Sequence, residues 1–199
     1  NSFCTLLARV MSTSEAELFV CGSIVGATGF GANKSYYVSF ESVVGNQWRA
    51  VSGTTAGNSH IMQCTHEGVA WGTPIDVHYA FQSVQGWPKI SLRVWSIDGY
   101  GRKDLEGYGV AFVPMPTKLD EADVTVATWK PAYYSTSFVS RALAGLRQMV
   151  MGGNPVLRDD SVVHNNDSRF KLYTTSGGVV TVRLSVIVRN AEDAGIHFD

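Results

Sequence analysis

Charge is scarce in this sequence: only 17% of its 199 residues are Asp, Glu, Lys or Arg, against about 25% in an ordinary soluble domain. With 16 basic and 17 acidic residues the net charge is -1, so the chain lacks the basic excess that nucleic-acid binding demands, and no nucleic-acid partner is expected. Cysteine is also sparse. Cys4, Cys21 and Cys64 are odd in number, widely spaced and without a Cys-x-x-Cys pair, which argues against a disulfide framework or structural zinc site and for reduced, intracellular thiols. Long apolar runs are missing too. The patch Cys4 to Ala8 has no basic leader and is too short for a signal sequence, and no stretch approaches the roughly 20 apolar residues that span a bilayer. A soluble or membrane-peripheral chain is the expectation. What is present is globular: 45% hydrophobic and 11% aromatic residues, in a length that suits one undivided core.

The strongest local signal is alternation with a period of two, which places every second side chain on one face of a strand. In Ile75 to Phe81 the residues Ile75, Val77, Tyr79 and Phe81 point one way while Asp76 and His78 point the other. Lys89 to Val94 and Val180 to Arg189 repeat the pattern, and Leu18 to Val25, Tyr36 to Val43, Gln47 to Val51, Gly109 to Val113 and Asp123 to Trp129 are further candidates between clusters rich in Gly, Ser, Asn and Pro. About eight strands without intervening helices predict an all-β fold, an antiparallel β-sandwich with loops gathered at its two ends. One segment departs from this. Phe138, Val139, Ala142, Leu143, Leu146, Met149 and Val150 recur at helical spacing, with Ser137 as N-cap and Gly152-Gly153 as stop, predicting one helix over residues 137–151. No acidic residue occurs from Val124 through Arg158, so Arg141 and Arg147 on this helix, with Lys130 and Arg158, form a local basic zone and a candidate partner- or membrane-binding surface.

No signature of catalysis is convincing. Gly26 to Ser35 imitates a phosphate loop, but its lysine falls too late after Gly31 and no helix follows, so a glycine-rich turn between strands is expected. Gly53-Thr54-Thr55-Ala56-Gly57 imitates a nucleophile elbow, but only strands flank it. Cys64 and His66, with His60 nearby, are soft ligands without a second pair at metal spacing or an orienting third group. No catalytic residue, cofactor or metal is therefore expected, and the chain is read as not an enzyme. The segment Val94 to Gly107 reads as a loop joining two strands, and it is similar to the third loop of a C2 domain, where acidic residues hold calcium. Here Ser96 stands at the first acidic position, Asp98 and Asp104 remain as vestigial calcium-type positions, and Lys34 falls where acids belong. The favoured reading is that Asp98 caps its own turn, with Gly99 and Gly101 supplying backbone freedom.

Gly86-Trp-Pro-Lys-Ile-Ser-Leu-Arg-Val-Trp95, followed by Asp98, Gly101-Arg102 and Gly107-Tyr108-Gly109, resembles the central signature of the B9 domain, a divergent C2-like sandwich. Pro74 to Ala80 and Thr128 to Pro131 extend the resemblance, as do Gly22 to Phe30, Gly152 to Pro155 and Gly177 to Asn190. It runs from about Leu18 to the C-terminus, which divides the chain into an N-terminal extension, residues 1–17, and a B9 (C2-like) domain, residues 18–199. The resemblance implies a non-catalytic scaffold in the cytoplasm at the base of the cilium, in the transition zone and basal body. There it would support cilium assembly and the ciliary membrane diffusion barrier, in a hetero-complex with other B9-domain proteins, namely B9 domain-containing protein 1 and the Meckel syndrome type 1 protein. Trp48, Trp71, Trp87, Trp95, Tyr100 and Tyr108 are candidate contacts, because exposed Trp and Tyr often dominate binding energy. The alternative is a calcium-independent, peripheral phospholipid-binding module, in which Tyr100, Arg102 and Lys103 at a loop tip meet anionic membrane lipid.

Overall fold

The computed structural model describes residues 15–32, 34–116, 121–132, 154–158, 161–164, 172–192 and 195–196. Ten strands follow in order: β1 (Ala16–Thr28), β2 (Ser35–Val43), β3 (Trp48–Gly53), β4 (Ala56–Asn58), β5 (Met62–Gln63), β6 (Val69–Phe81), β7 (Lys89–Ile97), β8 (Lys103–Phe112), β9 (Ala122–Pro131) and β10 (Thr174–Arg189), with one helical turn, α1 (Ser161–His164), before the last. All eight strands expected from alternation are present. The two additions, β4 and β5, are three and two residues long, too short to show a period.

The strands form one continuous antiparallel sheet in the order β3-β6-β1-β10-β9-β8-β7-β2-β4, with β5 also on β2. The sheet curls into a sandwich-like fold whose halves face each other. Across the gap the Trp71 indole N–H donates to the Tyr36 carbonyl at 3.2 Å, the hydroxyls of Ser42 and Tyr79 share a hydrogen bond, and Trp48 meets Trp87 edge-on at 5.3 Å. The layers are therefore not separate sheets. At one corner β8 and β9 are joined by the pair Tyr108 and Trp129. At the other, β3 passes directly into β4, where Thr54 N–H bonds to the Asp76 carbonyl and Ser42 N–H to the Thr55 carbonyl.

Alternation builds the core between the layers. Leu18, Val20 and Ile24 of β1, Val77 and Tyr79 of β6, Leu92 and Val94 of β7, and Val180 and Val182 of β10 are each 3% exposed or less, as expected for strands with one apolar face inward. A second cluster lies on the outer face of β7 to β9, where Leu105, Tyr108 and Trp129 bury Val163 of α1, with Trp95, Val110, Leu157 and Leu172 packed against them. The Asn154 side-chain amide donates to the Leu105 carbonyl at 2.7 Å, and Leu157 N–H donates to the Tyr108 hydroxyl at 3.0 Å, so this stretch lies over that face. The helix expected over residues 137–151 falls outside the described residues.

One expectation is corrected. The segment from Val94 to Gly107 is not one long loop, because β7 continues to Ile97 and β8 begins at Lys103, leaving a turn of five residues. Polar side chains on both strand ends hide the alternation there.

Candidate functional site

The turn between β7 and β8 is built by Asp98. One carboxylate oxygen accepts the N–H groups of Tyr100 and Arg102, each at 2.9 Å, and the other accepts Arg102 Nε at 2.7 Å. Gly101 supplies the left-handed backbone, with φ +80, that closes so tight a turn. The Arg102 N–H first, then the Arg102 guanidinium and the Tyr100 N–H, hold the Asp98 carboxyl below its ordinary range. With both oxygens of Asp98 engaged, Tyr100 stands out from the tip, 89% exposed. Its ring lies 5.6 Å from the Arg102 guanidinium carbon, while the Lys103 ammonium lies 5.5 Å from the ring of Tyr37 on β2.

Behind the tip, at the same end of the sandwich, sits a charge network that the sequence reading did not single out. The pairing of β7 with β8 slips between Val94–Gly107 and Trp95–Leu105, so Glu106 is the extra residue of a β-bulge. The bulge lets Leu105 and Tyr108, three apart, share the outer face while Glu106 turns inward. Its carboxylate accepts Lys34 Nζ at 2.9 Å, Lys130 Nζ at 3.0 Å and the Ser96 hydroxyl at 3.0 Å, and its side chain is only 12% exposed. Burial pushes this carboxyl up, but the hydrogen bonds and charges of Lys34 and Lys130 outweigh it and hold the group below its ordinary value. The network ties together the β1–β2 turn, β7, β8 and β9.

This donor set does not suit calcium, which takes six to eight oxygens, several from carboxylates. Asp98 is spent on its own turn, and Glu106 is neutralised by two lysines. Among the described residues no group of three or more His, Cys, Asp or Glu side chains is gathered to hold a metal.

The aromatic candidates divide by burial. Trp48, Trp71 and Tyr108 lie inside, at 6%, 4% and 0% exposure. Trp48 stacks on Phe81 at 4.4 Å and donates to the Gln85 carbonyl at 2.9 Å. Trp87 and Trp95 are half-buried; Trp87 donates to the Val113 carbonyl at 2.9 Å, and Trp95 lies over Tyr37 with ring centroids 6.5 Å apart. Tyr100, Arg102 and Lys103 are exposed. Arg141 and Arg147 fall outside the described residues. Cys64 is buried, its thiol donating to the Thr65 carbonyl at 3.4 Å, whereas His60 and His66 are exposed. The glycine-rich stretch after Gly26 is the turn from β1 to β2, with Gly29 at φ +78, and Gly53 at φ +95 ends β3.

The family model described as "Ciliary basal body-associated, B9 protein" matches residues 18–187. B9 domain-containing protein 2 of Danio rerio is 34% identical over 183 residues, covering 92% of this chain and 99% of that protein. B9 domain-containing protein 2 of Homo sapiens is 31% identical over 183 residues, with 92% and 99% covered. B9 domain-containing protein 1 of Drosophila melanogaster is 28% identical over 193 residues, covering 94% of this chain and 79% of that protein.

Proposed function

Because the chain belongs to the B9 family of ciliary basal body-associated proteins, we propose that it is a non-catalytic scaffold of the ciliary transition zone. In this reading residues 18–199 act as one unit. It resides in the cytoplasm at the base of the cilium and joins B9 domain-containing protein 1 and the Meckel syndrome type 1 protein in a hetero-complex that supports cilium assembly and the ciliary membrane barrier. The observation that carries it is a continuous ten-stranded sheet that offers large apolar side chains to solvent: Phe112 is 62% exposed, Ile187 58% and Ile61 56%. Exposed apolar groups on a rigid frame suit protein partners, since little conformational entropy is lost on binding. Co-expression of the full chain with the two partners, followed by size-exclusion chromatography with light scattering, tests the reading. A co-eluting hetero-complex is expected; a persistent monomer overturns it.

A second reading rests on the tip. Tyr100 projects beside Arg102, which is ion-paired to Asp98, and three residues before Lys103, and an exposed aromatic near a cation can enter an anionic headgroup layer, a cation contributing about 1 kcal/mol near the surface. Sedimentation with phosphatidylserine vesicles, with and without calcium, is expected to retain the chain equally in both conditions and to lose it on Tyr100→Ala with Lys103→Ala. No retention in either condition removes this reading.

A further inference from the structure

The two edges of the sheet differ in how they are guarded. Edge strands expose unpaired N–H and C=O groups, and folded proteins usually protect them with charges, prolines or bulges. The β3 edge has such guards: Arg49, ion-paired to Glu15 at 2.8 Å, and a bulge at Val51, where the register slips between Ala50 and Ser52. The edge formed by β4 and β5 has none of these charges or prolines. From Ala50 to His66 the chain contains no Asp, Glu, Lys, Arg or Pro, in a protein where charged residues make up 17%.

The backbone of this edge has a definite polarity. The Thr55 carbonyl accepts from Ser42 N–H at 2.6 Å, and Ser59 N–H donates to the Val38 carbonyl at 2.8 Å. Both odd-numbered residues therefore face β2, and by alternation Ala56 and Asn58 direct their N–H and C=O groups away from it. Among the described residues β4 pairs with β2 alone, and Ala56 and Asn58 are exposed. Further along, Ile61 and Met62 are 56% and 40% exposed. Met62 also walls a groove of about 400 Å³ whose other sides include Val25, Ala27, Thr65 and Val69.

We infer that the edge from Ala56 to Gln63 is a strand-addition site for an extended, uncharged segment of a partner protein, with an apolar side chain of that segment seated in the groove beside Met62. Main-chain hydrogen bonds to Ala56 and Asn58 supply affinity, and the groove supplies choice of side chain. An acidic segment would meet Glu67 in the groove wall and Glu41 opposite Ala56 on β2, whereas an uncharged one brings no charge to be desolvated. The inference deepens the scaffold reading and rests on it by naming the surface through which the scaffold engages.

The test uses the full chain with B9 domain-containing protein 1, measuring affinity and amide hydrogen exchange. Asn58→Pro deletes an outward N–H without breaking the β2 ladder, and Ile61→Lys places a charge on the apolar border. A thermal unfolding midpoint within about 2 °C of wild type shows that each variant is folded. Slowed exchange at Ala56 and Asn58 in the complex, with about tenfold weaker binding in each variant, supports the site. A complex with unchanged exchange there and unchanged affinity for Asn58→Pro overturns the site and leaves the scaffold reading standing. If no complex forms, that reading fails for this partner, and the edge is judged by selecting displayed twelve-residue peptides. Uncharged, alternating sequences that bind the wild type but not Asn58→Pro support it, and none enriched overturns it. A wild-type homodimer abolished by Asn58→Pro assigns the edge to a second copy and overturns the choice of a different protein.

Discussion

Glu106→Gln isolates the charge of the bulge residue, because glutamine keeps the shape and one neutral acceptor while removing the anion. The wild-type carboxylate receives hydrogen bonds from Lys34, Lys130 and Ser96 at 2.9 to 3.0 Å. A hydrogen bond to a charged group contributes about 1.5 to 3 kcal/mol when sheltered. The Lys34 side chain is 46% exposed and Lys130 29%, so solvent screening reduces the Lys34 share to roughly 0.5 to 1 kcal/mol. A neutral amide is cheaper to bury than a carboxylate, which offsets part of the loss. The net cost is about 2 to 3 kcal/mol, or an unfolding midpoint lowered by roughly 5 to 10 °C for a chain of this size. The pH dependence gives the independent check. The Glu106 carboxyl is held below its ordinary 4.5 in the folded protein, so its stabilisation is complete above that value and is lost as pH falls through the lower, folded-state value. The gap between wild type and Glu106→Gln, followed by circular dichroism against temperature at several pH values, is expected to be full at pH ~7 and to shrink once the pH falls below 4.5 and through the folded-state value. Equal midpoints at neutral pH, or a gap that persists undiminished in acid, would refute the network as a source of stability.

Three further outcomes follow from the interior. Trp48→Ala removes a ring stacked on Phe81 and edge-on to Trp87, and is expected to cost about 3 to 5 kcal/mol by urea unfolding; a loss under about 1 kcal/mol would show that the corner repacks. Gly177→Ala places a Cβ 2.6 Å from Thr128 Oγ1 and 3.1 Å from the Glu106 carbonyl oxygen, destabilising by roughly 1 to 3 kcal/mol, and Thr128→Ala in the same chain is expected to restore part of that loss. Burial, then the charge of Glu106, pushes the Tyr36 hydroxyl up to about 12 from 10. Its stabilising contribution is whole below pH ~10 and disappears as pH rises towards ~12, a loss that fluorescence-monitored unfolding should find smaller in Tyr36→Phe.

The sequence displays its strands because a sandwich buries one face of each. Ile75, Val77, Tyr79 and Phe81 are all 3% exposed or less, so alternation alone locates this part of β6. Yet β6 begins earlier, at Val69, with Val69 and Trp71 buried in the same phase as Ile75, in a stretch where Gly72 and Pro74, residues that usually interrupt a strand, mask the alternation. Trp71 and Tyr108 show the opposite limit. An aromatic that anchors a core and one that anchors a partner are the same letter, and only the partner atom separates them: Trp71 donates to the Tyr36 carbonyl across the sandwich, whereas Tyr100 extends into solvent.

Glu106 was hidden for a reason that is itself physical, and it left a trace. In a regular strand two residues three apart point to opposite faces, so the apolar pair Leu105 and Tyr108 looks like a broken pattern, and Val94 to Gly107 then reads as a loop. A bulge resolves the contradiction: one extra residue between them restores both to one face and turns the intervening acid inward. Lys34, too far from Glu106 in sequence for any local rule, becomes its partner because the β1–β2 turn and the start of β8 meet at one end of the sandwich. A lysine out of place for calcium and an acid out of phase with its strand are thus two halves of one feature. The pairing also ties together the strands at the end bearing Tyr100, through Glu106 to Lys34, Lys130 and Ser96 just behind the turn, and a contact made by the tip then costs less ordering than one made by an untied loop.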